Sequence, residues 1–231
     1  MPRVLERIAN AGFDAVEFAY RIFDADPNTV SRALEKTGLD VAGGHVLPLH
    51  VDEKFDDTIE RYHHIGCDTL VLTHLNKSQL SSRAAVQETA TYLEKQANRL
   101  TDQGFTLCYH TDGKEFSDIG GTSAFAELLR LTNSDVRVQL DVGHAVEFGF
   151  DPVALIESFE DRINSVHIHD TAPKVGRSIT LGHGDVDIDR CIQTAVDIDV
   201  DWIIYEGEPL IDTLPDACQQ ITSLRDEQVR S

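Results

Sequence analysis

Seven short apolar runs, separated by helical patterns, constrain the fold of this 231-residue chain more than any other feature. The runs are rich in β-branched and aromatic residues and are bounded by Gly, Asp or Pro, which is typical of β-strands. They are nearly continuous rather than alternating, which favours parallel strands buried on both faces. The predicted strands are 14–20, 40–46, 69–75, 105–111, 136–143, 163–170 and 202–208.

Helical patterns fill the intervals between these runs. Two of them open on Asp-Pro, at Asp26 and Asp151, and two close on glycine, at Gly38 and Gly104, as helix starts and ends commonly do. The predicted helices are 2–11, 26–38, 53–65, 81–104, 122–132, 151–162, 186–196 and 214–227.

The regular alternation predicts an α/β fold, a (β/α)8 barrel that forms a single domain over residues 1–231. Because the pattern begins with a helix, the first strand of such a barrel is lacking. Either the true start lies upstream of Met1, or a neighbouring segment covers the two strand edges left open. A Rossmann-like open sheet is the alternative, but no G-x-G-x-x-G motif follows any of the runs.

The charge balance limits the partners that we expect. Forty acidic residues face 20 basic ones, giving a formal net charge of −20, and such a surface repels nucleic-acid backbones. The acidic residues are dispersed and only six basic residues are Lys, which suggests adaptation to high salt. Equal stability in dilute buffer and in molar salt would contradict that hypothesis.

Three further sequence features predict a cytoplasmic protein without a membrane span. No run of 18 apolar residues occurs. Glu6, Arg7 and Asn10 interrupt the apolar stretch that a signal peptide would need. The cysteines are scattered without a C-x-x-C pair, as reduced thiols usually are.

Ionisable side chains occur at the end of every predicted strand. Parallel strands of a barrel bring their carboxyl ends to one rim, where active sites lie. Carboxylates and imidazoles gathered at one rim are typical of a divalent-metal site with acid–base partners. The strand-end residues are Glu17, His45, His74, His110, Asp141, His167 and Glu206.

The order of several motifs resembles that of the xylose isomerase-like TIM barrels, the superfamily of sugar phosphate isomerases/epimerases and family 2 AP endonucleases. The matching segments are "ANAGFDAVEFA", "LDVGHA", "VHIHD", "LGHGDVDID" and "YEGE". The resemblance implies one divalent metal ion (Mn, Co, Mg or Zn), with Asp141, His167 and Glu206 among its ligands.

The resemblance leaves the fourth ligand open. Family members usually carry Glu at the corresponding strand end, whereas this chain has "YHTDGKEF" there. We predict His110 as the ligand by position, with Glu115 as the alternative ligand and as a candidate acid or base.

Such a metal ion polarises a carbonyl and the adjacent hydroxyl, which acidifies the neighbouring C–H bond and stabilises an enediolate. The first prediction is therefore a metal-dependent sugar isomerase or epimerase, with Glu206 as the base and Glu115 or His144 as its partner. We expect an unphosphorylated sugar or cyclitol as substrate, because no dedicated phosphate loop is evident. The predicted substrate contacts are Glu17, His45, His74 and Arg177.

Three alternatives remain. An inosose-type dehydratase uses the same first step and expels a β-hydroxyl, and its members also carry histidines at the fourth-ligand segment. The second alternative is a degenerate barrel that only binds a sugar. A homo-oligomer is possible under each of these interpretations. The third, a three-zinc nuclease, is disfavoured because residues 177–180 read Arg-Ser-Ile-Thr where nucleases carry an Asp-x-His pair.

Overall fold

The computed structural model describes residues 1–172, 177–207 and 211–229. Within these ranges the strands are β1 Ala15–Phe18, β2 Asp40–Val46, β3 Thr69–Leu72, β4 Thr106–His110, β5 Val136–Asp141, β6 Ile163–Ile168, β7 Thr171–Ala172, β8 Arg177–Ser178 and β9 Trp202–Tyr205. The α-helices are α1 Pro2–Ala11, α2 Pro27–Thr37, α3 Pro48–Asp52, α4 Phe55–His64, α5 Arg83–Thr101, α6 Ala124–Leu131, α7 Val142–Glu147, α8 Pro152–Ser158, α9 Ile188–Asp197 and α10 Leu214–Val229.

The main sheet runs in the order β1-β2-β3-β4-β5-β6-β9, with every neighbouring pair parallel. It curves into a nearly closed barrel with the helices outside, and β7 and β8 form a separate antiparallel pair. The predicted TIM-barrel fold is confirmed. Among the described residues, the barrel has seven of the eight strands of this fold.

The open position lies between β1 and β9. Every residue of β3 is buried, whereas β9 is only half-buried along its whole length and β1 along most of it. Strands in the middle of a barrel are covered on both faces by side chains and on both edges by neighbours, so the partial burial of β1 and β9 follows from their open edges.

Local sequence explains where the helices begin. The Asp26 carboxylate accepts a hydrogen bond from the Thr29 N–H (3.1 Å), and the Asp151 carboxylate accepts one from the Val153 N–H (3.0 Å). Both side chains cap the unpaired N–H groups of a helix start, as the Asp-Pro pairs predict. At Gly44 an added Cβ would collide with the Tyr62 ring, so glycine there lets α4 pack closely on β2.

The predicted strand 136–143 ends two residues early. The Asp141 side chain accepts a hydrogen bond from the His144 N–H (2.7 Å) and so caps α7, which the sequence did not predict. The predicted strand 202–208 ends at Tyr205, and residue 208 lies outside the described ranges. Asp141 therefore both closes a strand and starts a helix, which fixes its carboxylate at the barrel rim.

None of the helices in the described parts of the chain combines the length and the apolar composition that crossing a bilayer requires.

Candidate metal centre

The carboxyl ends of four strands bring one cluster of ligand-type side chains together. His110 ends β4, Asp141 ends β5, His167 lies near the end of β6, and Glu206 directly follows β9. One ligand atom from each of these residues lies within 4.8 Å of the others. The β5–β6 register pairs Asp141 directly with His167, so strand pairing itself sets the geometry.

The donor set fits a divalent cation. Two imidazole nitrogens and two carboxylate oxygens are typical ligands for zinc, manganese or cobalt. Asp141 is 0 % exposed, and its Oδ2 is a buried oxygen for which the described residues supply no hydrogen-bond partner. Since buried polar atoms are normally satisfied, this oxygen is the strongest sign that a cation belongs in the cluster.

The protonation states of the cluster favour cation binding at three of its members. Burial, together with the neighbouring His167 and His45, lowers the pKa of His110 to about 3, so this ring is neutral and can donate a lone pair. Burial raises the pKa of Asp141, but the hydrogen bond from His169 and the nearby histidine charges outweigh it and bring it to about 2. Burial likewise opposes ionisation of Glu206, yet His167 lowers its pKa overall.

His167 differs from the other three, because it lies between two carboxylates. Its Nε2 is 2.8 Å from Glu17 Oε2, and its Nδ1 is 2.7 Å from Glu206 Oε2. Burial disfavours the charged ring, but these two carboxylates outweigh burial and raise the pKa of His167 to about 10. A bound cation would therefore replace one proton of this ring.

His144 lies beside the cluster with a carboxylate partner of its own. Its Nδ1 is 3.1 Å from Glu147 Oε2, and the ring is partly exposed to the cavity above the cluster. The same Glu147 accepts a hydrogen bond from the Thr171 hydroxyl (2.7 Å), which fixes the carboxylate. His144 is thus an oriented imidazole at the cavity wall, as an acid or base must be.

A cavity of about 810 Å³ opens over the cluster and continues along the gap between β1 and β9. Away from the metal ligands its wall carries Tyr20, Thr73, His74 and Asp112. The Tyr20 hydroxyl and the Thr73 hydroxyl are hydrogen-bonded to each other. The sequence prediction missed Tyr20, Thr73 and Asp112, although each stands within two residues of a strand end.

The predicted substrate contacts have different surroundings. His74 is 59 % exposed at the rim, with its Nδ1 3.8 Å from Asp112 Oδ2. Glu17 and His45 lie deeper, where their side chains contact each other at 2.9 Å and Glu17 also contacts His167. The side chain of Arg177 lies outside what the structure describes, so its predicted contact stays a prediction.

Glu115 lies apart from the cluster and from the cavity wall. It is fully buried, hydrogen-bonded to the Tyr109 hydroxyl, and accepts a hydrogen bond from the Asp112 N–H (3.2 Å). Tyr109 and His110 are adjacent in β4, so their side chains point to opposite faces of the strand. Glu115 is thus on the face away from the metal ligands, and we do not assign it a catalytic contact.

Glu115 should make the stability of the fold depend on pH. Burial, with the nearby Asp112, raises its pKa to about 7 from the ordinary 4.5. Because the folded protein holds this proton more tightly than the unfolded chain does, the protonated carboxyl stabilises the fold fully at a pH below the pKa of the unfolded chain. This stabilisation is lost as the pH rises through the pKa of the folded protein. Between pH 5 and pH 8 the parent should therefore lose about 1–3 kcal/mol of its free energy of unfolding through Glu115. The Glu115→Gln variant cannot ionise at this position and should not show this loss.

Denaturant unfolding of both proteins at the two pH values measures this difference. Glu157→Gln is the matched control, because Glu157 is exposed on α8. A parallel pH dependence in the parent and the Glu115→Gln variant would show that Glu115 does not carry the effect.

Comparison with known proteins identifies the family. The family model described as "Xylose isomerase-like TIM barrel" matches residues 5–224. The chain is 25 % identical, over 89 % of its own length and 79 % of the relative's, to an inosose dehydratase of Geobacillus kaustophilus (strain HTA426). The chain belongs to the xylose isomerase-like TIM barrel family.

Two solved structures share the fold. A sugar phosphate isomerase/epimerase from Parabacteroides distasonis ATCC 8503 superposes with a TM-score of 0.80 at 20 % identity, over 95 % of this chain and 86 % of the other. The IOLI protein with a bound zinc atom superposes with a TM-score of 0.71 at 15 % identity, over 99 % of this chain and 92 % of the other. At these identities the likeness shows the fold alone.

Proposed function

We propose that this protein is a divalent-metal-dependent dehydratase acting on a sugar or cyclitol ketone. The observation that carries the proposal is a four-ligand cluster with one half-buried carboxylate, beside a separately oriented imidazole on the same cavity wall. The inosose dehydratase of Geobacillus kaustophilus, a relative at 25 % identity, supports the choice of reaction.

The residues that would hold the cation are His110, Asp141, His167 and Glu206. When bound, the cation supplies Lewis acidity that polarises the substrate carbonyl and lowers the pKa of the adjacent C–H bond. The zinc atom of the IOLI protein supports a divalent ion of this kind, and Mn, Co, Mg and Zn are the candidates.

Glu206 is the base in this proposal. Its side chain is 42 % exposed, whereas Asp141, the other carboxylate of the cluster, is 0 % exposed and occupied by hydrogen bonds at Oδ1. His167 lowers the pKa of Glu206, which keeps the carboxylate ionised at neutral pH. An ionised, accessible carboxylate can remove the proton next to the carbonyl.

His144 is the acid that completes the elimination. Because its Nδ1 faces Glu147, Nε2 is the ring nitrogen left for the cavity. For this step His144 starts as the imidazolium, with Nδ1–H donating to Glu147 and a second proton on Nε2. The Nε2 proton joins the departing β-hydroxyl, and the C–O bond breaks as the electrons of the broken C–H bond form a double bond. One water leaves, Glu206 holds the α-proton, and His144 is left neutral.

Isomerisation or epimerisation is the second candidate, because it needs the same first step. If His144 returns a proton to carbon instead of the hydroxyl, the product has the mass of the substrate. The position of His144 and Glu206 on one cavity permits either outcome.

Incubation of the metal-loaded protein with keto-sugars and inososes in D₂O separates these reactions by mass spectrometry. A product lighter by one water supports the dehydratase. A product of unchanged composition that has gained deuterium at carbon favours the isomerase or epimerase. No turnover with the metal bound contradicts both and favours a barrel that only binds sugar.

A further inference from the structure

We propose that Gln139 and Glu17, which lie below the metal cluster inside the barrel, are positioning residues that fix which ring nitrogens of His110 and His167 face the cation. This inference rests on the proposed metal centre. Neither residue belongs to the four-ligand cluster, and neither has a role in the proton transfers described above.

Every hydrogen-bonding group of the Gln139 side-chain amide has a partner near the cluster. It is fully buried, and its Oε1 lies 3.1 Å from His110 Nδ1 and 3.1 Å from His45 Nε2. Its Nε2 donates to Glu17 Oε1 (2.6 Å) and to the Ser165 hydroxyl (3.1 Å). A side-chain amide offers two N–H donors and one acceptor oxygen, and each has a partner here.

The carboxylate of Glu17 determines how this amide is oriented. An ionised carboxylate only accepts hydrogen bonds, so the amide nitrogen of Gln139 must face it and the amide oxygen must face the imidazoles. His110 must then donate from Nδ1. Its Nε2 is therefore the nitrogen that carries the lone pair toward the cluster.

Glu17 acts in the same way on His167. Its Oε2 lies 2.8 Å from His167 Nε2, which therefore donates, and the opposite nitrogen Nδ1 faces Glu206. A carboxylate behind a metal-binding histidine fixes the ring and raises its basicity. Glu17 lies on β1 and Gln139 on β5, so the pair crosses the barrel interior and connects the open-edge strand to the cluster.

The tautomer of His110 in the metal-free protein tests the role of Gln139 directly. Long-range ¹H–¹⁵N NMR of the full chain reports which ring nitrogen carries hydrogen, and we expect Nδ1–H in the parent. Gln139→Leu removes the acceptor and should shift His110 to a mixture or to Nε2–H. Gln139→Met keeps the length of the side chain but offers no oxygen acceptor, so it should give the same shift and decides the question if the Leu variant does not fold.

Metal affinity gives the second readout. Titration with Mn²⁺ or Zn²⁺ should show a Kd raised about 10- to 100-fold in Glu17→Gln and Gln139→Leu. Ser165→Ala is the matched control, because Ser165 contacts the same amide but neither imidazole ligand. The metal Kd of this control should stay within about 3-fold of the parent value, well below the rise of about 10- to 100-fold expected for the other two variants.

The outcomes separate this inference from the proposed function. Nε2–H on His110 in the parent, or unchanged tautomer and affinity in Gln139→Leu, overturns the positioning role. A parent that binds no divalent ion overturns the metal centre and the role of Glu17 toward it, whereas the His110 tautomer still decides whether Gln139 orients that ring.

Discussion

Asp141→Asn is expected to weaken divalent-metal binding by at least about 100-fold and to remove most of the catalytic activity. The reason is Asp141 Oδ2, the buried oxygen that no described residue satisfies. An amide group in its place presents either a neutral oxygen or an N–H to the cation. The fold should survive, because asparagine can still cap α7 by accepting the hydrogen bond from the His144 N–H.

Metal affinity by chelator competition, and turnover of whichever keto-sugar or inosose proves to be the substrate, measure this effect. Asp151→Asn is the matched control, since Asp151 caps α8 in the same way but lies outside the cluster. The control should keep parental affinity and turnover. Parental metal affinity in Asp141→Asn would remove Asp141 from the ligand set.

Glu206→Gln is expected to lower kcat by about 10²- to 10⁴-fold, the range that loss of a general base produces. The half-buried Glu206 carboxylate is both a proposed ligand and the proposed base, so its neutral analogue loses the ability to take the α-proton. Both variants leave three ligands, but Glu206 is 42 % exposed whereas Asp141 is fully buried, so water can take the place of the Glu206 carboxylate at the cation. We therefore expect Glu206→Gln to retain the cation better than Asp141→Asn does.

Turnover measured at saturating metal distinguishes these two roles of Glu206. Glu157→Gln, an exposed substitution on α8, serves again as the control. If saturating metal restored turnover fully in Glu206→Gln, the residue would be a ligand only, and the base would have to be sought among the other cavity-lining groups.

The ligand cluster could be predicted from sequence because the pairing of parallel strands largely determines which strand-end side chains meet. Asp141 ends β5 and His167 lies near the end of the neighbouring parallel strand β6, so any barrel that forms this sheet brings them to one rim. The prediction of His110 rested on the same logic, and the structure places it with the other three. Whether an ion binds there stays a prediction.

The surroundings of the cluster could not be predicted in the same way. Glu115 lies in a short 3-10 helix, Lys114–Phe116, and whether its side chain faces the cavity or the helices depends on the backbone path, which includes Gly113 at a φ of 96°. Glu17 and His45 both line the cavity, and their role as substrate contacts stays a prediction, but a strand-end pattern does not show how deep in a barrel a side chain lies. Both proved to be hydrogen-bonded among the imidazoles.

The position of Gln139 inside the barrel could have been predicted from the two-residue periodicity of a strand. It stands two residues before Asp141 in β5, and residues two apart share a face of a strand. A buried polar side chain on the inward face of a barrel needs partners, and the rim residues are the nearest candidates. The sequence analysis followed strand ends only and so passed over the layer below.

Metal content per chain tests the central claim most directly. Protein purified without chelator and then exposed to Mn²⁺ or Co²⁺ should contain one divalent ion per chain by elemental analysis, and Asp141→Ala should contain none. Absence of bound metal in the parent after this exposure, or occupancy unchanged by the substitution, would contradict the account of the site.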